Sequence, residues 1–88
     1  MQSFGQYVAA GVNVGIGTDT YPHHMLEELR AVCIGSRMMA EDVFDLRTSD
    51  AFNAATLGSA KALGRDDIGR LAKGAKADMV LVDVTHPM

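Results

Sequence analysis

The apolar positions of this chain change period several times, and each change marks an element. Residues 3–10 fit a short helix stopped by Gly11, which supplies the left-handed backbone that a helix C-terminus often needs. In Val12-Asn13-Val14-Gly15-Ile16-Gly17 branched apolar residues alternate with small or polar ones, the period of a short strand with two unlike faces. Thr18-Asp19-Thr20-Tyr21-Pro22 then reads as a loop. Over residues 24–37, Met25, Leu26, Leu29, Val32 and Cys33 recur at helical spacing, with Glu27 and Glu28 near the start and Arg37 near the end. The apolar stripe and the charges suited to the helix dipole both predict an amphipathic helix. A polar link through Glu41 and Asp42 leads to a second helix, capped by Thr48 or Ser49 and running to Leu63, where Gly64 stops it. Its Phe52, Ala55 and Leu63 are expected to face a core. Beyond Arg65-Asp66-Asp67, residues 68–71 and 79–84 are strand-like and joined through Lys73-Gly74-Ala75-Lys76, the pattern of a hairpin.

Two strands alone make a marginal sheet. The shift after Gly64 from strand-and-helix to hairpin organisation resembles a domain junction, so the chain reads as cut from something larger. Its 88 residues, 48% apolar and 22% charged, fit one globular unit with a modest core and exclude a disordered segment. The net charge of −3 leaves no basic footprint for nucleic acid and favours small-molecule or protein partners. Cys33 is the single cysteine, which rules out an internal disulfide and a cysteine-based zinc cluster and suits a reducing cytoplasm. The start lacks a basic stretch followed by an apolar run, and no apolar stretch approaches the ~20 residues of a membrane span, so neither export nor insertion is expected.

Asp19 is the most informative side chain. Side chains alternate along a strand, so Val12, Val14 and Ile16 point one way while Asn13, Gly15, Gly17 and Asp19 point the other. If helices cover the apolar face, an acidic side chain stands at the C-terminal end of a small, open one, where α/β folds place their active sites. A carboxylate there can bind a metal or move a proton. The plainer reading is that Asp19 caps its loop. His23 and His24 invite a metal-ligand reading, but neighbours at a helix start point about 100° apart and do not easily face one ion. Helix-start or loop-surface roles suit them, with substrate-pocket lining as the functional alternative. Glu27 and Glu28 answer the helix dipole, Cys33 is a small buried hydrophobe, Lys73 and Lys76 flank a turn, and His86 is a surface residue.

Gly-Ile-Gly-Thr-Asp at 15–19, Ala-Thr-Leu-Gly-Ser-Ala-Lys-Ala-Leu-Gly at 55–64, and the run from Asp67-Ile68-Gly69 to Val80-Leu81-Val82-Asp83 occur in an order and spacing that resembles the amidohydrolase superfamily. The resemblance is closest to its chlorohydrolase and aminohydrolase branch, which includes cytosine- and guanine-deaminase-like enzymes. It implies an α/β fold: residues 1–64 as the C-terminal end of a (β/α)8 TIM barrel, with 12–17 its last strand, and 65–88 as part of the accompanying small β-sandwich. It implies that Asp19 is both catalytic and a metal contact, taking a proton from metal-activated water and delivering it to the leaving group. The implied cofactor is a divalent metal, zinc before iron. The implied reaction is hydrolysis of a non-peptide C–N or a C–halogen bond in a small substrate, heteroaromatic substrates included. A cytoplasmic homo-oligomer is expected, binding neither nucleic acid nor membrane.

The family's His-x-His pair and mid-barrel histidines have no counterpart among these residues. Catalytic zinc takes about three protein ligands, and a barrel takes about 250 residues. The 88 residues alone are therefore expected to be inactive, with a non-catalytic structural or interaction module as the alternative.

Overall fold

The structure is a computed structural model that describes residues 2–19 and 23–83. Helix α1 (Phe4–Ala9) is nucleated by Ser3, whose Oγ accepts the Gln6 amide at 3.1 Å while the Ser3 amide donates to Gln6 Oε1 at 2.8 Å. This reciprocal pair satisfies amides that a helix start leaves unpaired. The expected stop holds, with Gly11 at φ 85°.

Helix α2 (Met25–Ala40) outruns its expected end at residue 37. Met38, Met39 and Ala40 are strong helix formers, and Glu41 takes the left-handed cap at φ 54° in place of a glycine. A second helical run follows as α3 (Thr48–Asn53), a π-helical turn (Ala54–Gly58) and α4 (Ser59–Ala62). The expected cap at Thr48 or Ser49 is displaced to Arg47, whose amide donates to Asp50 Oδ2 at 3.3 Å, leaving Thr48 as the first helical residue. Gly64 ends the run at φ 73°. No helix among the described residues is long and apolar enough to cross a membrane.

The strand-type segments form no ladders among the described residues, so neither the expected strand at 12–17 nor the expected hairpin is seen there. A strand satisfies its backbone by pairing, and residues 12–17 meet no second strand here. They rest on the second helical run instead. Residues 66–70 bend and 73–75 turn, closed by Lys76 N–H donating to Asp67 O at 2.7 Å. Residues 76–83 follow without regular structure, and Val84, the last residue of the expected hairpin, lies outside the described residues.

A small core forms where α1, α2 and the loop before α3 meet. Cys33, Leu46 and Ala51 are buried there, with Phe4, Val8, Leu29 and Val32 packed against them. Phe52 and Leu63, expected to face a core, are exposed and Ala55 is half-buried, and Met25 and Leu26 on the apolar stripe of α2 are exposed as well. The apolar stripes of the helices are wider than the contacts this chain supplies to cover them.

Beside the apolar core lies a buried polar knot. Asp45 lies in the loop between α2 and α3, and its carboxylate oxygens stand 3.0 and 2.9 Å from Ser3 Oγ. Ser36 Oγ donates to the same carboxylate and accepts the Gly5 amide at 2.8 Å. Ser3 and Ser36 are both buried, yet no buried side-chain nitrogen or oxygen among the described residues lacks a partner. One carboxylate thus fastens the start of α1 to α2. Arg37 completes the loop, donating from Nε and Nη2 to Leu46 O at 3.1 and 2.7 Å.

Candidate active site

Residues 12–19 carry the candidate chemistry. Their expected two-faced character is visible in part: Val14, Ile16 and Thr18 are half-buried and Asn13, Gly15, Gly17 and Asp19 exposed, but Val12, expected on the apolar face, is exposed too. The glycine-lined face is not uniformly open. Asn13 Nδ2 donates to Gly58 O at 3.0 Å, and the Ile16 amide donates to Ser59 Oγ at 3.0 Å. A β-carbon on Gly15 would stand 2.9 Å from Ser59 Oγ, whereas one on Gly17 would meet nothing within 4 Å. The face is therefore held by the π-helical turn at its first half and open at the second, toward Asp19.

Asp19 has φ 63°, a left-handed backbone that non-glycine residues adopt uncommonly and aspartate tolerates better than most. Its carboxylate is exposed at the end of the segment. His24 is the N-cap of α2, its Nδ1 accepting the Glu27 amide at 3.4 Å, a long bond. That geometry is the expected helix-start role. His23 precedes it and is exposed. Thr20 to Pro22, the rest of the loop, and His86 lie outside the described residues.

No group of three or more His, Cys, Asp or Glu side chains among the described residues could hold a metal ion. Asp19 offers one carboxylate, and His24 spends its Nδ1 lone pair on α2. The donor set present here does not fit a resident metal by itself. A groove of roughly 620 Å³ between α2 and α3 is lined by Leu29, Cys33, Ile34 and Phe52 among others and does not include Asp19. It is an uncovered helix seam, since its lining is mainly the apolar stripe of α2 together with the start of α3.

Sequence reasoning passed over Ser59 and Gly58. Their signal was the small Gly-Ser pair inside a helical run, which marks a place where another backbone comes close.

Comparison with known proteins completes the assignment. The sequence profile of the Amidohydrolase family matches residues 1–88. The chain is 38% identical over 86 residues to a 5-methylthioadenosine/S-adenosylhomocysteine deaminase of Pelotomaculum thermopropionicum, a match covering 93% of this chain and 20% of that protein. It is 40% identical over 76 residues to an imidazolonepropionase of Mycolicibacterium smegmatis, covering 86% and 18%, respectively. It is 36% identical over 81 residues to a 5'-deoxyadenosine deaminase of Methanothermobacter thermautotrophicus, covering 88% and 19%. No solved structure matches it. The chain belongs to the amidohydrolase family and spans about one-fifth of the length of the curated relatives it matches.

Proposed function

We propose that this chain is the C-terminal part of a metal-dependent hydrolase that cleaves a non-peptide C–N bond in a small, nitrogen-rich substrate, and that Asp19 is its proton-transfer carboxylate. The observation that carries the reading is the family match across all 88 residues, with Gly-Ile-Gly-Thr-Asp ending on a carboxylate at an open tip. In a deamination, water oxygen bonds to the substrate carbon and the C–N bond breaks. Asp19 takes a proton from that water and passes it to the departing nitrogen, which leaves as ammonia. A carboxylate suits both halves because it is a base before the transfer and an acid after it. Deaminases among the relatives favour a C–N bond over C–halogen. A contact to the metal by Asp19, and zinc rather than iron as that metal, belong to the same reading. The remaining ligands would have to come from outside this chain. A substrate-pocket role for His23 and His24 belongs to the same reading.

Residues 1–64 are assigned to the barrel end and 65–88 to the β-sandwich, in a cytoplasmic homo-oligomer. A second reading, a non-catalytic interaction module, is favoured by one observation. Phe44, Val80 and Leu81 are 87%, 84% and 97% exposed, as if awaiting a covering partner.

The test compares this chain with a hybrid in which it replaces the matching 86-residue stretch of the Pelotomaculum thermopropionicum deaminase. The chain alone, with added zinc, is expected to release no ammonia from 5-methylthioadenosine. The hybrid is expected to do so, and to lose about 10²–10⁴-fold in kcat when Asp19→Asn is introduced. Full activity with asparagine at that position would remove Asp19 from the chemistry.

A further inference from the structure

We propose that Ser59 is a positioning residue for Asp19, anchoring to the π-helical turn the segment that delivers the carboxylate. The proposal rests on the reading of Asp19 as the proton-transfer group.

The Ser59 hydroxyl is committed on two sides. Its proton goes to Ala54 O at 2.8 Å, the same carbonyl that the Ser59 amide approaches in closing the π-helical turn. Its lone pair accepts the Ile16 amide at 3.0 Å, with Ile16 O more distant at 3.4 Å. One oxygen thus joins the wide turn to the segment's main chain, which no strand ladder holds among the described residues. The wide turn matters here. A π-helical turn bonds i to i+5, and it presents Ser59 and Ala54 O together at one point.

Two glycines, one on each side, make the approach possible. A β-carbon on Gly58 would come within 2.7 Å of Val14 O, and one on Gly15 within 3.2 Å of Ser59 Cα. Contact this close fixes the segment lengthwise, because sliding by one residue would drive Val14 or Ile16 into the turn. Asn13, bonded to Gly58 O, adds a second tie. Asp19 is only three residues beyond Ile16, a span of at most about 10 Å. Over so short a span a displacement at Ile16 carries through to the carboxylate. An alanine at position 59 would preserve the helix and lose the anchor. That separates the hydroxyl's role from packing.

In the deaminase hybrid, Ser59→Ala is expected to lower kcat about 10- to 100-fold, the scale of a misplacement near 1 Å, with KM and the unfolding midpoint nearly unchanged. Ser59→Thr, which keeps the hydroxyl, should recover most of the loss. If Ser59→Ala keeps kcat within twofold while Asp19→Asn abolishes turnover, the positioning role is overturned and the reading of Asp19 stands. If Asp19→Asn is active, that reading fails by itself. A second measurement needs no turnover. In the full 88-residue chain, exchange of the Ile16 amide should be slowed relative to an unstructured peptide, and Ser59→Ala should remove about tenfold of that protection. Unprotected Ile16 in the unmodified chain, or equal protection in Ser59→Ala, overturns the anchor.

Discussion

Gly5 lies against the main-chain carbonyl of Asp45 so closely that a β-carbon between them would overlap it and the Asp45 carboxylate as well. The first turn of α1 therefore meets the loop before α3 as backbone on backbone. Gly5→Ala would normally favour a helix, since alanine is the better helix former. Here the collision is with main chain, which cannot swing aside. The expected outcome is a net loss of about 1–3 kcal/mol, the usual cost of overpacking, read as a lower urea midpoint. An unchanged or raised midpoint would show that α1 can move off the loop.

Ser36 serves two partners at once, the Gly5 amide and the Asp45 carboxylate. Ser36→Ala leaves a buried amide without an acceptor and a carboxylate short of a donor. A loss of about 1–3 kcal/mol is expected in chemical unfolding. Ser3→Ala removes the other donor to the same carboxylate, and because the two residues share it, the double variant should depart from additivity by about 0.5 kcal/mol or more. Simple addition of the two losses would mean that the knot is two separate bonds.

Arg65 and Asp67 form an exposed two-armed pair, with Nε to Oδ1 at 3.0 Å and Nη2 to Oδ2 at 2.8 Å. The Arg65 side-chain hydrogen bond holds the Asp67 carboxyl below the usual carboxylate range, helped by the arginine's charge. A folded-state value below the unfolded one means that the pair's contribution is present above the unfolded value, about 3.9, and is lost as pH falls through the folded value. Carboxyl-carbon NMR titration should place Asp67 low, and Arg65→Gln should return it toward the ordinary range. High salt should narrow the difference, because the pair faces water. A titration unaffected by Arg65→Gln would assign the shift to the backbone instead.

Local signals in the sequence were read correctly where they are self-contained. Gly11 and Gly64 stop helices because their positive φ is a property of the residue, and the spacing of Leu29, Val32 and Cys33 marks the covered side of α2. The alternation at 12–17 survives in part, in the burial of Val14 and Ile16 but not of Val12, which is exposed. What was not legible depends on residues far apart in the chain. Nothing around Asp45 announces that Ser3, 42 positions away, will bond it. A strand's period predicts which side chains share a face but cannot provide the neighbouring strand, and so 12–17 pairs with a serine on a helix instead. Met25 and Leu26 fit the apolar stripe yet stay exposed, because periodicity records what a helix could bury and not how much surface is there to bury it. For the candidate site, strand parity and the family resemblance both single out Asp19 in the sequence, and its carboxylate is exposed. Ser59 carries only the faint mark of the small Gly-Ser pair, because the partner it bonds, the Ile16 amide, lies 43 positions away.

Cys33 sits 7% exposed in the small core where α1, α2 and the loop before α3 meet. Since it is the chain's single thiol, any disulfide-linked dimer has to draw both of its sulfurs from opened molecules. A covalent dimer appearing on storage would thus record how often that core has opened.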